Sequence, residues 1–184
     1  MNRQLNTQAV GNTHGFVLEE KCTSDKIRHS ERVYICSPLR AETDNGMLNN
    51  MSAAGEYAGY ALNKLHYQAT AIHSYLPFVL NDRIPEQREE ALKIGLQVLD
   101  LSEILMVCGD RITDGMRGEI EYAARENKQI IVFNEKVFPA VLDIIAKSGA
   151  KRFQVSLEKN HPKMANPPKE KDFEGWLKLL KAEV

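Results

Sequence analysis

Ile104-Leu105-Met106-Val107-Cys108 is an unbroken apolar run bounded by Glu103 and by Gly109-Asp110. A strand with one wet face alternates apolar and polar residues, so a run that does not alternate belongs to a strand covered on both faces. Ile130-Ile131-Val132-Phe133, opened by Gln129, repeats the feature. Two such strands call for a parallel sheet with helices above and below it, and the segments between them carry helical periodicity.

Val33-Tyr34-Ile35-Cys36 reads as the first strand, stopped at Ser37-Pro38 because proline cannot donate to a ladder. A loop through Asp44, Asn45 and Gly46 leads to a helix over 49–65, with Ala54, Tyr57, Ala61 and Leu65 on one stripe. Gln68 to Leu76 reads as a second strand ended by Pro77, and Glu86 to Leu101 as a helix carrying Ala91, Ile94, Val98 and Leu101 inward. Further helices are expected at Gly115 to Asn127 and Phe138 to Ser148, with an edge strand at Arg152 to Leu157. The alternation predicts a doubly wound, flavodoxin- or Rossmann-like α/β domain. Its five-stranded parallel sheet has the order 2-1-3-4-5 in a three-layer α/β/α sandwich.

The flanks differ from this pattern. Residues 1–31 are polar and aperiodic and read as an arm, residues 32–157 form the domain, and residues 158–184 read as a proline-containing linker and an amphipathic helix. That helix carries Phe173, Trp176, Leu177 and Leu180. With 43% apolar residues, 184 residues suit one sizeable core. The net charge of -1 provides no broad basic field for nucleic acid, and no apolar run reaches bilayer length. Three cysteines without metal-like spacing and no apolar leader lead to the expectation of a cytoplasmic protein without metal or cofactor.

Parallel sheets bind ligands beyond the carboxyl ends of their strands, which selects three stretches: Ser37-Pro38-Leu39-Arg40, His73 to Tyr75, and Gly109 to Gly118. Gly115 and Gly118 let a ligand approach main-chain N–H groups around Gly115 and Met116 at a helix start, an arrangement suited to an anion. Glycines at a helix start also serve purely local turns, so this spacing alone leaves both readings open. Glu119, placed in the first helical turn, is either a nucleophile favoured by the macrodipole or an ordinary N-terminal glutamate. Tyr34 is equally open between core and site. Cys36 and Cys108, at the ends of neighbouring strands, are assigned to packing.

The segments Val33-Tyr34-Ile35-Cys36-Ser37-Pro38-Leu39-Arg40 and Gly115-Met116-Arg117-Gly118-Glu119-Ile120-Glu121-Tyr122-Ala123 resemble the nucleoside 2-deoxyribosyltransferase-like superfamily, which includes the 2′-deoxynucleoside 5′-phosphate N-hydrolases. The likeness spans about residues 32 to 157. It implies that Glu119 attacks the anomeric carbon, that Tyr34 supports it, and that Arg40 and Thr113 bind a 5′-phosphate. Thr113 stands where the hydrolases have serine and the transferases aspartate. The ligand is then a nucleoside or nucleoside 5′-monophosphate, with His73 near a pocket position, and the chain a homo-oligomer, dimer or higher.

One departure stands out. The superfamily's sugar-contacting aspartate falls on Gly95, eight residues before Glu103, while Asp100 lies off that helix face. Two functions from different classes therefore follow: N-glycosidic cleavage or deoxyribosyl transfer through Glu119, or a nucleotide-binding sensor using the same pocket without turnover. A relation to the phosphoribohydrolases with Gly-Gly-x-Gly-Thr loops is weaker, because Gly115 to Glu119 lacks that order.

Overall fold

The computed structural model describes residues 31–158. The expected arm and the Phe173–Leu180 helix lie outside the described residues, apart from Glu31 and Glu158 at the boundaries. Within them the elements are β1 (Arg32–Cys36), α1 (Asp44–Asn63), β2 (Gln68–Thr70), α2 (Pro85–Asp100), β3 (Ile104–Val107), α3 (Asp114–Arg125), β4 (Gln129–Val132), α4 (Phe138–Lys147) and β5 (Gln154–Leu157). The five strands form one parallel sheet of order β2-β1-β3-β4-β5 with helices on both faces. It is a doubly wound α/β fold.

Strand alternation divides the core. Tyr34, Cys36, Leu105, Val107, Ile130 and Val132 face Leu99 of α2, Met116 and Ile120 of α3, and Val141 and Ile144 of α4. Val33, Ile35, Ile104, Met106 and Ile131 face the other way, with Ala54 and Ala61 of α1. Both sides of β1 and β3 are thus buried, which is why their residues do not alternate.

Three element readings need correction. The loop expected at Asp44–Gly46 is the first turn of α1, capped by Thr43, whose hydroxyl accepts from the Gly46 N–H at 3.1 Å. The strand expected to run to Leu76 stops at Thr70 and gives way to two 3₁₀ turns, Ile72–Ser74 and Leu76–Phe78. Ser74 Oγ donates to the Ala71 carbonyl at 2.6 Å, a local bond that competes with the ladder, and Pro77 sits at the start of the second turn. Leu101, expected inward, is 63% exposed past the end of α2; Gly95 and Leu99 are buried instead. A glycine carries no apolar signal, so the centre of that stripe is invisible to a hydrophobicity pattern.

At the carboxyl edge the loops after β1 and β3 abut. Gly109 has φ +96°, and a Cβ there would lie 2.7 Å from Pro38 Cδ, so the close approach requires glycine.

Candidate active site

Tyr34 stands on β1 and Glu119 on α3, 85 residues apart, and the Tyr34 hydroxyl donates to Glu119 Oε1 at 2.7 Å. Both are buried, Tyr34 fully and Glu119 to 3% exposure. Glu119 lies in the second turn of α3, not the first, and is buried. The macrodipole fades beyond the first turn, so side chains dominate the surroundings of this carboxyl. Burial first, and then the charge of Glu119, push the Tyr34 hydroxyl well above its usual range, keeping it a donor at neutral pH. Glu119 Oε2 is buried without a hydrogen-bond partner, and so is Ser37 Oγ.

His73 reaches the same pair through the 3₁₀ turn that replaces the end of the expected strand. Its Nδ1 lies 3.1 Å from the Ser37 carbonyl, and Nε2 is 3.6 Å from Glu119 Oε1. A carbonyl only accepts, so this contact puts a proton on Nδ1 and leaves Nε2 facing Glu119. The imidazole also meets the Tyr34 ring edge-on, with centroids 6.5 Å apart.

Gly95 packs beneath this group. A Cβ on it would lie 3.1 Å from Tyr34 Oη and 3.7 Å from Glu119 Oε1. The residue of α2 matched to the superfamily aspartate therefore sits behind the Tyr34–Glu119 pair. The α2 residues lining the cavity in front are Arg88, Ala91 and Leu92.

That cavity encloses about 320 Å³, within the range of small-molecule sites. Its floor includes Ser37, His73, Met116 and Glu119, and its apolar wall Leu76, Leu80, Leu92 and Ile112. Thr113 lines it as the N-cap of α3, its hydroxyl accepting from the Met116 N–H at 3.4 Å. The Met116 amide is thus engaged by the cap and not open to a ligand, whereas the Asp114 and Gly115 amides have no intrahelical acceptor. Gly118, singled out from the sequence as an opening for a ligand, is inside the helix, exposed, and outside the cavity lining.

Arg40 also lines the cavity, and its Nε donates to Asp82 Oδ2 at 2.7 Å and its Nη2 to the Asp82 carbonyl at 3.0 Å. Sequence reasoning missed both Asp82 and Arg88. Asp82, 7% exposed, is bound by Arg88 Nη1 through both carboxylate oxygens, at 2.8 and 2.9 Å. Nothing local marks a lone aspartate in a turn as the partner of an arginine 42 residues earlier. Cys36 and Cys108 are buried and their thiols are pushed far up, Cys108 by burial and Cys36 by burial first and then by the neighbouring Glu119, which makes neither a ready nucleophile.

Fold and site together define a doubly wound α/β protein with a buried carboxyl–phenol–imidazole cluster beneath a carboxyl-edge cavity. Residues 31–133 match a family model described as a domain of unknown function, DUF7768; this is more than half of the chain, which belongs to that family. No curated protein matches the chain. Among solved structures it is similar to a 2-deoxyribosyltransferase of Bacillus psychrosaccharolyticus, at 15% identity over 72% of this chain and 93% of that one, with TM-score 0.49. It is also similar to the CMP N-glycosidase BcmB of Clostridium botulinum, at 12% identity over 84% of this chain and 100% of that one, with TM-score 0.42. Among the described residues no helix is long and apolar enough to cross a membrane.

Proposed function

We propose that this protein cleaves the N-glycosidic bond of a nucleoside 5′-monophosphate, or transfers its deoxyribosyl group, with Glu119 as nucleophile. The observation that carries this reading is the buried Tyr34–Glu119 hydrogen bond, which uses one carboxyl oxygen and leaves Oε2 unpaired in a residue lining the cavity. A carboxylate so held suits an oxocarbenium-like transition state: it stabilises positive charge at the anomeric carbon and can close on it. In the first step the C1′–N bond breaks, its electron pair leaves with the base, and a Glu119 oxygen bonds to C1′. Water, or an acceptor base, then displaces the ester and frees the carboxylate. His73, through Nε2, is the group placed to supply the proton that the departing base takes up. Arg40 and the free amides at the start of α3 take the phosphate, while the leucine wall accommodates the base.

The homo-oligomer belongs to the same proposal. Exposed Tyr75, Phe78 and Val79 lie on the segment whose Leu76 and Leu80 line the cavity, which supports a subunit contact beside its mouth.

Gly95 favours the second reading, a nucleotide sensor without turnover, because α2 contributes no carboxylate to the cavity. The test is incubation with common nucleosides and their 5′-monophosphates, following free base by chromatography. Base release that disappears in Glu119→Gln is the expected result. Ligand binding without base release from the wild type would select the sensor and refute the glycosidase.

A further inference from the structure

We infer that Arg88 is a second phosphate-binding residue, acting with Arg40 as a two-guanidinium clamp whose geometry is fixed by Asp82. The inference rests on the nucleotide reading above and adds a specificity-determining residue to it. Arg88 stands in the first turns of α2, whereas Arg40 follows β1, yet both converge on one buried carboxylate and both line the cavity. A single guanidinium is enough to neutralise Asp82, so its burial does not by itself require the second; within the Arg40–Arg88–Asp82 cluster one positive charge is left over, while Asp114 also lines the cavity. The donors are unevenly spent. Arg40 uses Nε and Nη2 on Asp82 and Arg88 uses Nη1, so these contacts leave Arg40 Nη1 and Arg88 Nε and Nη2 for another acceptor.

Two forks on different segments offer donors in more than one plane, which suits a tetrahedral phosphate better than a planar carboxylate, for which one fork suffices. An independent observation points the same way: Ser37 Oγ, 1% exposed and without a hydrogen-bond partner, belongs to a residue lining the same cavity. Buried hydroxyls are normally paired, so an unspent one marks a place where a polar ligand group fits.

The test is calorimetric titration of the full chain with inorganic phosphate, with the four common deoxynucleosides, and with their 5′-monophosphates, for wild type, Arg88→Ala and Arg88→Lys. The wild type is expected to prefer the monophosphate. Arg88→Ala should lose roughly ten- to a hundredfold of that affinity, and inorganic phosphate with it, with nucleoside binding unchanged. Arg88→Lys, which keeps a cation beside Asp82 and so guards against misfolding, should lose about tenfold, because a point charge does not replace a fork. A preference for the monophosphate that is undiminished in Arg88→Lys, or in a folded Arg88→Ala, overturns the clamp and leaves the glycosidase reading standing. A wild type that binds nucleoside and monophosphate equally overturns the phosphate reading together with the clamp; base release from nucleosides in the same samples then decides the glycosidase separately.

Discussion

The two ends of the cavity are built on opposite principles. At the Glu119 end the polar groups are few and largely buried: one carboxyl oxygen accepts from the Tyr34 phenol and lies 3.6 Å from the His73 imidazole, and the other is unpaired. At the Asp82 end the carboxylate is saturated by cations, and Arg40 is 57% exposed at the side chain. An unpaired buried group is costly, and it persists where the surrounding core over-determines it. A saturated, half-wet cluster costs little and is suited to capturing a charged ligand from solvent. On the proposed reading, bond-making belongs to the first end and recognition to the second.

The sharpest way to break this division is Glu119→Gln, which keeps the shape and an acceptor for Tyr34 but removes the proposed nucleophile. Base release should fall on the order of 10⁴-fold, with melting temperature nearly unchanged, as checked by chromatography and calorimetry. Activity retained within tenfold would remove Glu119 from the chemistry. Next in size is Arg40→Ala, which should weaken a 5′-monophosphate roughly ten- to a hundredfold and leave the parent nucleoside unaffected; equal losses for both ligands would mean that the two ends are not separate.

Gly95→Ala probes the first end from behind. The added Cβ meets Tyr34 Oη at 3.1 Å, and that oxygen is pinned to Glu119, so the hydroxyl must shift by a few tenths of an ångström. The helix itself gains about 1 kcal/mol from alanine, offset by crowding of about 1–3 kcal/mol. We expect a drop of about tenfold in turnover with a stability change of no more than about 2 kcal/mol; unchanged turnover would show that the hydroxyl position is not limiting.

The smallest effect lies far from the cavity, at the start of the sheet. Arg32, through its main-chain N–H and its guanidinium, holds the Glu103 carboxyl down at about 2 from an ordinary 4.5. A depressed carboxyl stabilises the fold above its unfolded value, and that contribution is lost as pH falls from about 4.5 through about 2. Both side chains are about half exposed, so screening limits it to less than about 1 kcal/mol. Glu103→Gln should therefore destabilise slightly at pH 7 and not at pH 2 in denaturant titrations; an equal effect at both would mean that charge is not responsible.

The residues by themselves determined the alternation of the main strands and helices, since unalternated apolar runs and helical periodicity are properties of each segment and its burial, and the strand order 2-1-3-4-5 followed from that alternation through the chirality rules of doubly wound sheets. They also singled out Tyr34, Glu119, Arg40, Thr113 and His73 as candidates through local segments and resemblance. Tertiary structure decided what those side chains meet: Glu119 buried against Tyr34, His73 delivered by a turn rather than a strand, the Met116 amide taken by the Thr113 cap, and Arg88 joined to Arg40 through Asp82. Hydrogen bonds between segments depend on sheet register and crossover geometry, and no local pattern in a chain records which distant donor will reach which acceptor. Gly95 is the clearest case, because its significance lies in the atoms that a missing side chain allows to approach.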